Sequence, residues 1–253
     1  MTTFTDPEYL RDQQYRDDSN FQKRVDLHKR FSTNPQQWPE WVLERLDLPP
    51  AADVLEIGCG PASLWRDNVD RIAPGWRLTL VDLSPGMIAA ARGFLGDRAE
   101  YVVADMQELP FDDESFDGVI ANHMLYHVPD PWKGLSEAAR VLRSGGRFFA
   151  ALNGREHLKE LNEIRTQRFH VDVVVETAGD ELAQFFEEIE LDRYPCDLEV
   201  TEVEPVLAFV ASSGYPPVDR AADVVADQIA EYGSYHITRT PACSAAATLT
   251  RVW

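Results

Sequence analysis

The sequence predicts an α/β fold: a mostly parallel sheet flanked by helices, with a helical cap before it and a second cap inserted before the last strand. Three observations carry this. Short apolar runs alternate with amphipathic stretches from residue 53 onward, a glycine turn follows the first run, and a polar, aromatic-rich segment precedes them all. Alternation of this kind indicates parallel strands joined by crossover helices. A chain of 253 residues is long enough for one large domain.

Residues 1–50 read as an N-terminal helical cap or lid, and 51–253 as the main domain, with substrate-side insertions at about 154–178 and 197–234. In the cap, helices are expected near Pro7–Arg16, Phe21–Phe31 and Gln37–Leu46. The last carries Trp38, Trp41, Val42 and Arg45 at helical spacing. Pro49-Pro50 closes the segment. The strands follow as Val54–Ile57, Leu78–Val81, Tyr101–Ala104, Gly118–Ala121 and Phe148–Leu152. Ser84 caps a helix whose first residue is Pro85. Asp130 and Pro131 do the same for a helix ending at Gly145-Gly146. Beyond Asn153 the expected order is a charged helix Arg155–Arg168, an apolar run Val171–Val175, a helix Asp180–Glu188 and a strand Ile189–Tyr194. Helices Glu204–Ser212 and Arg220–Tyr232 come next, then a strand-like tail, Tyr235–Trp253, interrupted by Pro241.

Composition narrows the function. A net charge of −19 repels phosphate backbones and argues against a nucleic-acid substrate. No apolar run approaches the ~20 residues that span a bilayer. The start of the chain lacks the layout of a secretion signal, so a cytoplasmic protein without a membrane partner is expected. Cys59, Cys196 and Cys243 lie far apart and show no CxxC spacing, against a disulfide framework or structural zinc. His123 and His127 have zinc-like spacing but no third ligand nearby. The fourth strand does not end in an acidic pair suited to magnesium, so no metal is expected. The oligomeric state stays open, with a homodimer among the alternatives.

The chemistry concentrates at strand ends. Val54-Leu55-Glu56-Ile57-Gly58-Cys59-Gly60-Pro61 is a strand running into a glycine turn. Glycine bends tightly and lets a ligand approach without meeting a Cβ. The second strand ends at Asp82, at the spacing of a carboxylate that takes a ribose hydroxyl pair. The third ends at Ala104-Asp105-Met106, where a carboxylate can accept from an adenine amino group. Either acid alone could merely cap a helix; in order, each at a strand end, they indicate nucleoside binding.

VLEIGCG, LVDLSPGMI, VADMQELPF, SFDGVIANHMLYHVPD and AARVLRSGGRFF, in that order over residues 53–152, resemble the class I S-adenosylmethionine-dependent methyltransferases, in particular their small-molecule, type 11-like branch. The resemblance implies a Rossmann-like sheet and S-adenosyl-L-methionine as cofactor, with S-adenosyl-L-homocysteine as product. It places Gly58 and Gly60 against the methionine portion, with Glu56 and Cys59 counted in the same segment. Asp82 would hold the ribose, with Leu83 and Met87 beside it. Asp105 and Met106 would hold the adenine, and Asn122 and His123 lie beneath the ligand. Ala62 stands where the family often has a third glycine, and its methyl group is expected to narrow the loop slightly. Two flanks, Leu27–Asn34 and Leu198–Pro205, resemble a segment that closes over the cofactor and an insertion before the last strand.

Methyl transfer requires an aligned nucleophile, exclusion of water and, in some cases, removal of a proton. His127 and His123 follow the fourth strand and are the candidate bases. Tyr15, Trp38, Tyr126, Asn153 and His157 are the candidate substrate-side residues. The reaction expected is transfer to an oxygen, nitrogen or carbon nucleophile of a small molecule. Two alternatives stand beside it. An NAD-dependent oxidoreductase would share the glycine turn and Asp82, although the last fingerprint glycine and a Tyr-x3-Lys pair are missing. The other is a protein that binds S-adenosylmethionine without catalysis.

Overall fold

A computed structural model describes residues 5–166, 174–214 and 217–239, and the backbone of 243–248. The chain opens with the short helix α1 (Pro7–Tyr9), which runs on into a π-turn, Leu10–Gln14. α2 (Ser19–Phe31) and α3 (Trp38–Leu43) complete the N-terminal segment. Then come β1 (Ala51–Ile57), α4 (Ser63–Arg66), β2 (Gly75–Asp82), α5 (Pro85–Leu95), β3 (Ala99–Val103), β4 (Phe116–Asn122), α6 (Pro131–Val141) and β5 (Leu142–Leu152). The rest comprises α7 (Val175–Leu182), β6 (Glu188–Arg193), β7 (Leu198–Val200), α8 (Val203–Ser212), α9 (Ala221–Tyr232), β8 (Tyr235–Ile237) and β9 (Cys243–Thr248).

The main sheet has the order β3-β2-β1-β4-β5-β9-β6. β1 to β5 pair in parallel, while β9 runs antiparallel between β5 and β6. Strand order reverses between β1 and β4, and open α/β sheets bind ligands at the carboxyl ends beside that point. Both faces are covered, so the strands read as nearly continuous apolar runs. Successive residues serve opposite layers: Leu55, Val81 and Phe148 pack with α6 and α7, whereas Val54, Leu80 and Phe149 pack with Trp41, Trp65 and Ile88. A third cluster joins the two flanks. Leu27 and Phe31 of α2 pack with Val206, Phe209 and Val210 of α8 and with Tyr235 and Ile237 of β8.

Ser84 and Asp130 cap α5 and α6 as expected, accepting from the Met87 and Lys133 amides. Other boundaries differ from the sequence reading. α6 stops at Val141 rather than at Gly145-Gly146, because Leu142 is already extended and β5 absorbs both glycines. Gly145, at φ +76°, lies where pairing with β4 shifts register. The charged helix Arg155–Arg168 is not formed. Leu158 takes φ +55°, and a 3-10 turn, Lys159–Glu163, follows. Leu158, Leu161 and Ile164 are all buried, and their three-residue spacing fits a 3-10 turn rather than an α-helix. The helix expected at Asp180–Glu188 is instead α7, where Val175, Ala178 and Leu182 form the buried face, and Glu188 opens β6. The single tail strand is two strands. β8 pairs with β7 in a small separate sheet, and β9 enters the main sheet; Pro241 and the residues after 248 lie outside the described ones, as do Val171 and Val173.

Candidate active site

At the carboxyl ends of β1, β2, β3, β4 and β5 lies a cavity of about 360 Å³, lined as well by residues of the N-terminal segment and of the insertion. Every candidate site residue of the sequence reading lines it.

The glycine turn forms one wall. Gly58 and Gly60 take φ +66° and +54°, the left-handed region that glycine enters freely. A Cβ on Gly58 would come within 2.7 Å of Met124 Cβ. One on Gly60 would stand in the open cavity, 3.9 Å from its nearest neighbour, Phe21. Ala62 does not narrow the loop. It takes φ +58° itself and buries its methyl group in the core beside Trp65, so the missing glycine costs strain, of order 1 kcal/mol, rather than space.

Asp82 locks this wall. One carboxylate oxygen accepts the Gly60 amide at 2.9 Å and the other the Ser84 amide at 2.8 Å, leaving one lone pair on each for a ligand. Burial pushes its pKa up to about 6. Glu56, behind the turn, accepts the Trp65 indole N–H at 2.7 Å, and burial raises it to about 8. It borders the cavity with its carboxyl turned to the indole. Burial also raises the Cys59 thiol well above its usual range. Asp105 accepts the Gln107 amide at 2.8 Å and its side-chain N–H₂ at 3.0 and 3.1 Å. No described helix follows Asp105 directly, so it is not a helix cap. Leu83, Met87 and Met106 complete this apolar side. These residues suit a nucleoside with a diol and an amino group.

Opposite lie His123, His127 and Tyr126. The Tyr15 hydroxyl meets His127 Nε2 at 2.8 Å, and the Tyr15 carbonyl accepts the Ser84 hydroxyl at 2.6 Å, latching the N-terminal segment to the core. His123 takes φ +54°, its amide donating to the Ala151 carbonyl; burial holds its imidazole neutral, with a pKa down at about 3. It is therefore a weak base. Burial likewise pushes the Tyr126 phenol above its usual value. Trp38 donates to Asn122 Oδ1 at 3.3 Å and packs on Trp41, His123 and Tyr194. Asn153, past β5, is buried with its Oδ1 unpartnered, and His157 lies beside it on the lining.

Sequence reasoning missed Arg24, Arg165, Tyr194 and Arg239, which also line the cavity, and saw His28 only as a lid residue. These residues belong to no motif. They arrive from the flanks, and only the fold brings them together. Among the described residues no group of three or more His, Cys, Asp or Glu side chains could hold a metal ion. No helix among them is long and apolar enough to cross a membrane.

Residues 55–150 match a sequence family described as a methyltransferase domain. A demethylmenaquinone methyltransferase of Clavibacter sepedonicus is 47% identical over 97 residues, 38% of this chain and 38% of its own. The ubiquinone/menaquinone biosynthesis C-methyltransferase UbiE of Hahella chejuensis is 31% identical over 139 residues, 53% of this chain and 54% of its own. The chain spans between about a third and about half of the length of the curated relatives it matches. Among solved structures, the Haemonchus contortus phosphoethanolamine N-methyltransferase 2 in complex with S-adenosyl-L-methionine superposes with a TM-score of 0.65 at 20% identity, over 99% of this chain and 61% of that one. A likeness at that identity speaks to the fold alone. Strand order, glycine turn, strand-end acids and sequence match agree: residues 55–150 are similar to the methyltransferase-domain family, and the sheet around them has that fold.

Proposed function

We propose that this chain transfers a methyl group from S-adenosylmethionine to a small-molecule acceptor. The observation that carries the reading is the Asp82–Gly60 lock: a half-buried carboxylate fixed to the glycine turn, with free lone pairs facing a cavity large enough for a nucleoside. When bound, the cofactor supplies a methyl group activated by its sulfonium charge.

The chain's own residues do the remaining work. Asp82 accepts from the ribose hydroxyls, Asp105 from the adenine amino group, and Gly58 and Gly60 leave room for the methionine portion. Asn122 and Trp38 form the floor and lid where the acceptor arrives. His127 is the acceptor-side base, oriented by Tyr15, and takes the proton of a protonated nucleophile; His123 shapes the floor. Alignment in a closed, dry site supplies the larger share, about 7–11 kcal/mol, against about 10²–10⁴-fold from a base. Residues 1–50 and the insertions at about 154–178 and 197–234 act as covers. Relatives named for quinone methylation favour a small organic acceptor over nucleic acid, and the charge of −19 agrees. The reading includes a cytoplasmic site of action and no membrane partner.

Calorimetry tests it. S-adenosylmethionine and S-adenosylhomocysteine bind and NADH does not; the reverse result would favour an oxidoreductase. Single-turnover transfer of labelled methyl groups to a metabolite extract separates an enzyme from a protein that only binds the cofactor.

A further inference from the structure

The charges around the cavity are divided. The acids that line it, Glu56, Asp67, Asp82 and Asp105, come from β1, from the end of α4 after it, and from the ends of β2 and β3. The side formed by β4, β5 and the insertion contributes no acid to the lining among the described residues, but it contributes two buried arginines, Arg165 and Arg239. Arg165 holds its guanidinium 5.8 Å from the ring centre of Phe209.

Arg239 is the more telling. It follows β8 and is 7% exposed in a chain with 43 acidic residues, yet its guanidinium pairs with no carboxylate among the described residues. Asp197 takes only its backbone N–H, at 2.8 Å. One guanidinium nitrogen, Nη1, donates to Cys196 Sγ at 3.2 Å, and the group lies 5.5 Å from the ring centre of Tyr194. Nε is buried and makes no hydrogen bond among the described residues. A buried cation without a counter-ion is costly and is ordinarily paired. On the same lining, Asn153 Oδ1 and His28 Nδ1 also lack a hydrogen bond among the described residues. Burial and the neighbouring cations, Arg239 foremost, hold the His28 ring neutral, so on this side of the cavity the positive charge rests on the arginines.

We infer that the methyl acceptor is an anion, a carboxylate or a phosphate ester, and that Arg239 receives its charged group in the half of the cavity formed by β5 and the insertion. This rests on the methyltransferase reading for the word acceptor, but not for the anion site itself. The planar guanidinium fork matches either group through paired N–H donors. The cofactor's own carboxylate is the competing occupant. Against it, Arg239 clusters with Cys196, Tyr194 and His28, whereas the glycine turn faces the ends of β1 and β2.

The test uses the full chain, with and without saturating S-adenosylhomocysteine, and three probes: benzoate, phenyl phosphate and the neutral benzamide. Tryptophan fluorescence reads binding through Trp38. At least one anion binds at least tenfold more tightly than benzamide, and the comparison of benzoate with phenyl phosphate tells carboxylate from phosphate. In Arg239→Gln that preference falls to within twofold while affinity for S-adenosylhomocysteine is unchanged; Arg239→Lys keeps part of it. Equal binding of all three probes, or none, overturns the proposal. So does a preference that survives in a folded Arg239→Gln protein, or a matching loss of S-adenosylhomocysteine affinity, which would give Arg239 to the cofactor. Failure of the methyltransferase reading shows separately, as absent S-adenosylhomocysteine binding beside an intact anion preference.

Discussion

Along β1, β2 and β3 the cavity is walled by residues at strand ends or one turn beyond: Gly58 and Gly60, and Asp82 and Asp105, whose carboxylates accept from backbone amides beside them. Along β4 and β5 it is walled by His123, His127 and Asn153, and by side chains from far along the chain, Tyr15, Trp38 and Arg239. The first wall is made by the sheet and cannot vary much without undoing the turn. The second is assembled by two flanking segments packed on one another, and can be rebuilt without disturbing the strands. On the proposed function, the first wall holds the cofactor and the second the methyl acceptor.

The comparison breaks first at Asp82. Asp82→Ala removes the acceptor for two ribose hydroxyls, each hydrogen bond worth about 1.5–3 kcal/mol, and also releases the Gly60 amide. Affinity for S-adenosylhomocysteine falls about a hundredfold or more, read by calorimetry, with the circular dichroism unchanged. A matching pH dependence is expected. Binding takes the ionised carboxylate, whose pKa in the free protein is raised to about 6, so affinity is level above pH 6 and falls as pH drops through it. An unchanged dissociation constant would show that the carboxylate serves only the turn.

Gly86 probes the seam between the walls. A Cβ there would stand 1.9 Å from the Arg16 carbonyl oxygen, which the N-terminal segment must carry away. Alanine also favours helix over glycine by about 1 kcal/mol, so α5 itself is not weakened. Gly86→Ala loosens the cover and lowers S-adenosylhomocysteine affinity about tenfold. Hydrogen exchange over residues 9–41 slows on ligand binding in the natural protein and fails to slow in the variant. Equal protection with and without ligand in the natural protein would mean a permanently packed layer.

The acceptor wall responds in rate. Tyr15→Phe removes the hydroxyl from His127 Nε2, a bond of about 0.5–1.5 kcal/mol. kcat falls about three- to tenfold with S-adenosylhomocysteine affinity unchanged, and the pH profile of kcat shifts. An unaltered profile would make Tyr15 a packing residue and remove His127 from proton transfer.

The division also explains what could be read in advance. The five parallel strands, Ser84 and Asp130 as caps, and the order of glycine turn, Asp82 and Asp105 are local patterns, each fixed within one strand and the turn after it. Residues beyond Asn153 follow other rules. Leu158, Leu161 and Ile164 look like one face of a helix until burial shows that a 3-10 turn serves them. The tail reads as one strand because nothing local says that β8 belongs to the small sheet and β9 to the large one. Arg239 carries no sequence signal, since its meaning lies in its having no carboxylate partner for the guanidinium among the described residues.

Glu56 tests the boundary from the other direction, because sequence places it with the cofactor and the structure turns its carboxyl to Trp65. Its pKa is raised by burial from the ordinary 4.5 to about 8. A group raised on folding stabilises fully below its unfolded value, and that contribution is lost as pH climbs toward the folded one. The protein therefore loses stability between about pH 4.5 and pH 8 on account of this residue. Glu56→Gln keeps an oxygen acceptor for the indole N–H and carries no charge. At pH 5 the two proteins melt alike; at pH 9 the variant melts several degrees higher, as about 1–2 kcal/mol shifts a domain of this size by roughly 2–8 °C. Affinity for S-adenosylhomocysteine stays within twofold at pH 7. A tenfold loss with no gain in alkaline stability would place the carboxylate on the ligand and extend the cofactor wall one residue deeper into β1.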